Sequence, residues 1–75
     1  MKAHADCPRL TQREKLCLFW AAQGKSSFCI AAILKISEHT VNFHIKNAMR
    51  KLNVGNRIVA VQKAARLGLV DFEPQ

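Results

Sequence analysis

Five positions within residues 39–50 combine side chains that suit contacts with nucleic acid. They supply an imidazole, an amide, an aromatic ring and two cations, from His39, Asn42, Phe43, Lys46 and Arg50. At 3.6 residues per turn, these positions fall on one side of a helix. Amides and cations hydrogen-bond to base edges and phosphates, so this face predicts DNA contact. The alternative is an ordinary amphipathic helix whose Phe43 curls back onto the core.

The charge distribution supports an anionic partner. Twelve Lys and Arg against five Asp and Glu give a net charge of +7. Residues 39–67 contain no acidic residue and six basic ones, which are Lys46, Arg50, Lys51, Arg57, Lys63 and Arg66. A basic stretch without acids in a folded segment is typical of nucleic-acid binding, although charge that serves only solubility is the alternative.

Length and composition exclude several classes of protein. Seventy-five residues make one small domain, too small for a two-lobed catalytic cleft. The longest uncharged apolar runs, such as residues 16–22, are far too short to cross a bilayer. The sequence carries no secretory signal pattern and no supported Ser/His/Asp or Cys/His pair, so a membrane protein and an enzyme are the weakest interpretations.

The cysteines predict neither a metal site nor a disulfide framework. Cys7, Cys17 and Cys29 are odd in number and form no C-x-x-C pair, and His4 with Cys7 lacks a second ligand pair. We therefore expect no metal and no cofactor, and reduced thiols in a cytoplasmic protein.

Helix signals punctuate residues 10–70, which we predict to be the folded domain, between a tail or linker at 1–9 and a C-terminal tail at 71–75. The pattern predicts four helices, at about 12–23, 27–34, 38–52 and 57–67. Their predicted N-terminal caps are Thr11, Ser26, Ser37 and Asn56, and the first belongs to a capping box with Glu14. Gly24 and Gly68 are expected to end the first and last helices.

The second and third predicted helices form a helix-turn-helix pattern. An apolar stripe on the third helix repeats at helical spacing through Val41, Ile45, Ala48 and Leu52. A small residue at Ala31 lets the second helix approach it closely. The third helix would then be presented outward with its polar face free, at a width that fits the major groove.

These residues resemble the C-terminal DNA-binding domain of LuxR-type transcription regulators, the quorum-sensing branch in particular. The resemblance covers about residues 10–70 and is carried by runs at 10–14, 22–26, 36–44, 47–54, 56–57, 60–61 and 66–69. It implies an all-α, four-helix domain whose third helix enters the major groove. It also implies two copies paired through the fourth helix on two-fold-related half-sites.

The resemblance assigns roles to individual positions. Base-reading roles fall on the outward face, at Asn42, Phe43, Lys46 and Arg50. Positions that hold phosphates or brace the fold nearby are Ser37, Thr40, Asn47, Lys51 and Arg57. For Arg57, packing on the third helix is an equal alternative. The predicted pairing face is Ile58, Gln62 and Ala65.

Four positions depart from the family pattern. The family often has Lys or Arg at Asn42, Gly at Lys35, Glu at Cys29 and an acid at Leu16. One base-directed cation is therefore missing, and Lys35 is strained if the turn requires a positive φ.

The first helix carries a second apolar stripe opposite its core stripe of Cys17, Leu18, Ala21 and Ala22. We expect this second stripe, Leu16, Phe19 and Trp20, to be a docking face for a sensor domain or another regulator. The alternative is that Trp20 wraps sideways onto the fold.

The sequence predicts a cytoplasmic, sequence-specific domain that binds double-stranded DNA in the bacterial nucleoid as a homodimer. The alternative function is a protein-interaction module that pairs with a full-length LuxR-type regulator and modulates it.

Overall fold

The computed structural model describes residues 8–70, which form four α-helices and no β-strand. The helices are α1 (Gln12–Ala22), α2 (Ser27–Leu34), α3 (Glu38–Leu52) and α4 (Arg57–Arg66). The predicted all-α, four-helix class is confirmed. α1 and α4 each end one residue earlier than predicted. Residues 1–7 and 71–75, where most of the two predicted tails and the His4–Cys7 pair fall, lie outside the described residues.

Every helix begins at its predicted cap, because a side-chain oxygen there accepts a hydrogen bond from the backbone N–H three residues on. The four distances are 3.1 Å from Glu14 N to Thr11 Oγ1, 3.2 Å from Cys29 N to Ser26 Oγ, 3.0 Å from Thr40 N to Ser37 Oγ and 2.8 Å from Val59 N to Asn56 Oδ1. The Glu14 carboxylate accepts in return from the Thr11 amide at 2.8 Å and completes the predicted capping box.

The turn between α2 and α3 depends on a left-handed residue. Lys35 has φ +60°, and the next amide, on Ile36, donates to the Ala31 carbonyl at 3.1 Å. A left-handed residue with this hydrogen bond is a common way for a helix to end, but the residue at that position is usually glycine and here it is Lys35. A side chain in this region costs on the order of 1 kcal/mol, so Lys35 holds the turn at a cost in stability.

The core consists of two clusters, and the buried stripe of α3 contributes residues to both. One cluster joins α1, α3 and α4 around Leu18, Leu52 and Ala60, and a second joins α1, α2 and α3 around Cys17, Ile30, Val41 and Ile45. The predicted α3 stripe is buried in full, with Val41 and Ala48 wholly enclosed. Because α3 is anchored along this whole stripe, its opposite face is free to meet a partner.

The second apolar stripe of α1 differs from the prediction. Leu16, Phe19 and Trp20 are all half-buried, and Trp20 packs against the cluster around Cys17 instead of lying away from the core. The reason is helical geometry, since Trp20 lies three residues after Cys17 and positions i and i+3 share a face. The rings of Phe19 and Trp20 meet edge to face at 5.1 Å. Ala22, predicted in the core stripe, is exposed.

Candidate nucleic-acid interface

The outward face of α3 is exposed along its whole length. All five predicted residues of this face are accessible, and four of them line a shallow depression: His39, Asn42, Phe43 and Lys46. Phe43 is 57% exposed, and its ring meets the neighbouring His44 ring edge to face at 5.7 Å. The phenyl ring therefore points outward and does not curl back onto the core.

The amide of Asn42 is held by a hydrogen-bonded chain that crosses three helices. Ser27 Oγ on α2 donates to Asn42 Oδ1 on α3 at 2.6 Å. Arg57 Nη1, at the start of α4, donates to the same Ser27 Oγ at 3.0 Å. Ser27 is only 9% exposed and Arg57 is half-buried, so this chain lies behind the outward face. Of the two roles weighed for Arg57, these contacts favour bracing.

The two cationic side chains of the outward face differ in whether a hydrogen bond within the protein holds them. Lys46 has no side-chain hydrogen bond or ion pair within residues 8–70, and its ammonium group is free to reach a base edge or a phosphate. Arg50 Nη2, one turn further on, donates to Asn47 Oδ1 at 2.9 Å. Asn47, predicted as a phosphate contact, thus orients the Arg50 guanidinium.

The N-terminus of α3 carries two of the predicted phosphate contacts. The Ser37 and Thr40 hydroxyls lie 2.8 Å apart, and Ser37 Oγ also accepts from the Thr40 amide. Ser37 is exposed and Thr40 half-buried. Free amides and the positive end of the helix dipole at such a terminus favour an anion.

Lys51, another predicted phosphate contact, is engaged by the fold. Its Nζ lies 2.9 Å from Glu14 Oε1, with Glu14 4% exposed and Lys51 32% exposed. Burial alone raises the pKa of Glu14, but hydrogen bonds from Lys51 and Thr11 together with the Lys51 charge outweigh burial and lower the pKa below its ordinary value. This ion pair ties α1 to the C-terminal half of α3.

The predicted pairing residues lie on the exposed side of α4. Ile58 is 66% exposed, and Gln62 and Ala65 are also exposed. Ile58 and Gln62 line a cleft of about 310 Å³ that α4 forms with the end of α1 at Ala21 and Ala22. The apolar side chain of Ile58 thus stands beside a groove that another protein surface can enter.

Sequence reasoning missed one residue of this interface. Ser27 was not singled out, because a serine just after the α2 cap is ordinary in sequence and its link to Asn42 spans 15 residues. The local signal of Ser27 is weak: it is a hydroxyl in an otherwise apolar helix. Such a hydroxyl needs a hydrogen-bond partner when it is buried.

Two features, a metal-ligand cluster and a membrane-spanning helix, are not found among residues 8–70. No group of three His, Cys, Asp or Glu side chains in that range is placed to hold a metal ion. No helix in the same range is long and apolar enough to cross a membrane.

The chain matches a family model over residues 8–64, that of GerE, described as bacterial regulatory proteins of the luxR family. It is similar to the transcriptional activator protein LuxR of Aliivibrio fischeri, with 53% identity over 62 residues that cover 83% of this chain and 25% of that protein. It is also similar to the HTH-type quorum sensing-dependent transcriptional regulator RpaR of Rhodopseudomonas palustris, with 55% identity over 62 residues that cover 83% of this chain and 26% of that protein.

Among solved structures, the transcription factor GerE superposes with a TM-score of 0.80 at 38% identity. The superposition covers 85% of this chain and 96% of that one. The chain spans about a quarter of the length of the curated relatives it matches.

Proposed function

The chain belongs to the luxR family of bacterial regulatory proteins, and we propose that it binds a specific double-stranded DNA sequence by placing α3 in the major groove. It is a LuxR-type helix-turn-helix domain of a transcription regulator and not an enzyme. We propose further that two copies pair on the DNA and that the chain acts in the bacterial cytoplasm, at the nucleoid.

The exposed face of α3 carries this proposal. The helix buries Val41 and Ile45 on one side and presents Asn42, Phe43 and Lys46 to solvent on the other. Helix-turn-helix proteins place the first residues of their second helix against base edges. Asn42 lies in the first half of α3, where such contacts are made, and Lys46 follows one turn later on the same face. We assign both, and Phe43, to base reading, with Arg50 at the far end of the face.

Phosphate contacts would fix the register of α3 on the duplex. Ser37 and Thr40 offer hydroxyls at the α3 N-terminus, and the exposed portion of Lys51 offers a cation that the Glu14 ion pair holds in place. We assign Asn47 a supporting role through Arg50.

We propose that two copies pair on DNA through the outer side of α4. Ile58 is the one large apolar side chain of that predicted face, with Gln62 and Ala65 beside it. So small a patch makes pairing weak in free solution, because stable protein interfaces bury about 800 Å² on each partner.

The same face supports the second candidate function. A chain of this length could pair through Ile58 with a full-length relative and change how that relative binds DNA. A sensor domain or another regulator is the partner proposed for the α1 residues Leu16, Phe19 and Trp20, although Trp20 is half-buried against the core.

Selection of bound DNA from a random pool by the purified chain tests the proposal. We expect an enriched site with two-fold-related halves. Failure to enrich any sequence, together with capture of a full-length relative through Ile58, would contradict DNA reading and support the second candidate.

A further inference from the structure

We propose that Ser27 and Arg57 are positioning residues that fix the Asn42 amide with its oxygen toward the protein, so that Asn42 offers only hydrogen-bond donors to the DNA. Asn42 then reads guanine, whose O6 and N7 both accept hydrogen bonds, and disfavours adenine, whose N7 acceptor lies beside the N6 donor. This inference rests on the proposed function, because it concerns how α3 reads a base.

The orientation of the amide follows from the distances. Ser27 Oγ and the Asn42 side chain are 2.6 Å apart, which is a usual length for an O–H···O bond and shorter than the usual N–H···O range. The oxygen of the amide, Oδ1, therefore faces Ser27. The amide nitrogen Nδ2 has no hydrogen-bond partner within residues 8–70, on an exposed residue.

Arg57 sets the direction of the serine proton. A guanidinium can only donate hydrogen bonds, so Ser27 Oγ accepts from Arg57 Nη1 at 3.0 Å. The hydroxyl proton then remains for Asn42 Oδ1. Reversing the Asn42 amide would remove this acceptor and leave a hydroxyl that is 9% exposed without a partner for its proton.

The fixed amide changes which base is favoured. An unrestrained asparagine pairs bidentately with adenine, donating to N7 and accepting from the N6 amino group. That pairing needs Oδ1, which Ser27 occupies here. Guanine presents two acceptors in the major groove, O6 and N7, whereas adenine presents N7 beside the N6 donor, thymine presents the single acceptor O4, and cytosine presents only a donor.

The experiment compares sites selected from a random pool by the wild-type chain and by four variants. Asn42→Ala identifies the base pair that Asn42 reads, because the preference there is lost. At that base pair we expect the wild type to favour G·C over A·T by about fivefold or more, because only guanine sets two acceptors side by side. Ser27→Ala and Arg57→Met should each raise the share of adenine, because the freed amide can turn.

Ser26→Ala is the matched control. It removes a hydroxyl from the adjacent residue and weakens the α2 cap at Cys29 N, but it leaves the Ser27–Asn42 bond in place. We expect it to keep the wild-type base preference, so a change caused only by a looser α2 would appear in this control too. Thermal melting of every variant verifies that it is folded.

The inference would be overturned, while the proposed function stands, by a wild-type site with an A·T pair at the position that Asn42 reads, or by Ser27→Ala with an unchanged base preference. An Asn42→Ala variant that relaxes no position would also overturn it. Arg57→Met that weakens all sequences equally, with no change at one base pair, would make Arg57 a phosphate contact and contradict its positioning role. A wild-type chain that selects no site would remove the proposed function and this inference together.

Discussion

Single side chains on the α3 face divide into those that the fold holds and those it leaves free. Asn42 is held through Ser27 and Lys51 through Glu14, whereas Lys46 has no partner within the described range. A held group loses little side-chain entropy when it meets a ligand, and a free lysine loses more. We expect Asn42 to contribute a hydrogen bond of fixed direction to the DNA contact, and Lys46 to contribute a positive charge on a flexible side chain.

The acid sensitivity of the fold should depend on Glu14. Its lowered pKa means that the ion pair with Lys51 contributes stability above the ordinary carboxyl pKa of 4.5, and that this stability is lost as the pH falls through the lower, folded-state value. We predict that the free energy of unfolding of Glu14→Gln, measured in urea from pH 7 down to about pH 3, falls less with decreasing pH than that of the wild type. The variant should also be less stable at neutral pH.

Glu38→Gln is the control for that measurement, since it removes an exposed carboxylate from the first turn of α3 and leaves the Glu14–Lys51 pair intact. If the free energy of unfolding of Glu14→Gln falls with decreasing pH as steeply as that of the wild type, this ion pair does not contribute to stability.

At the scale of the elements, local chemistry determined most of what could be predicted. Thr11, Ser26, Ser37 and Asn56 are caps by residue type, so the helix starts were predictable. Trp20 was predicted to lie away from the core, because it stands four residues after Leu16; it also stands three residues after Cys17, and the structure packs it on the Cys17 side. The Arg57–Ser27–Asn42 chain could not be predicted, because it joins three helices whose relative placement depends on the folded core.

The turn between α2 and α3 offers a direct test of backbone strain. Lys35 and Asn53 both adopt the left-handed conformation, with φ +60° and +59°. Asparagine adopts this region at a lower cost than lysine does, so Lys35→Gly should raise the free energy of unfolding by about 1 kcal/mol, while Asn53→Gly should raise it by less. Urea denaturation measures both, and an equal or absent gain would show that Lys35 is not strained.

At the scale of the whole molecule, the net charge of +7 predicts DNA binding that weakens steeply with salt. If each copy neutralises roughly four to six phosphates, the logarithm of the binding constant should fall with a slope of about −0.9 per phosphate against the logarithm of salt concentration. Lys51→Ala should weaken all sequences alike and reduce the slope by about one contact. An unchanged slope would show that Lys51 contacts no phosphate and serves only in the ion pair with Glu14.

Pairing on DNA also belongs to this scale. We predict two copies per site with half-site centres about 10 bp apart, one helical turn, and a mostly monomeric chain in free solution at micromolar concentration. Ile58→Lys should abolish the second binding event and spare the first, which sedimentation with and without DNA would reveal. A tight dimer without DNA, or strong binding of one copy to an isolated half-site, would contradict pairing through α4.

The most direct test of DNA reading by α3 is the ratio of specific to non-specific affinity for Lys46→Ala on the selected site. Lys15→Ala removes the same charge from α1 and serves as the control. The predicted result is a loss of roughly 1–3 kcal/mol of sequence discrimination in Lys46→Ala and none in Lys15→Ala. If Lys46→Ala discriminates between sequences as well as the wild type does, α3 does not read the major groove as proposed.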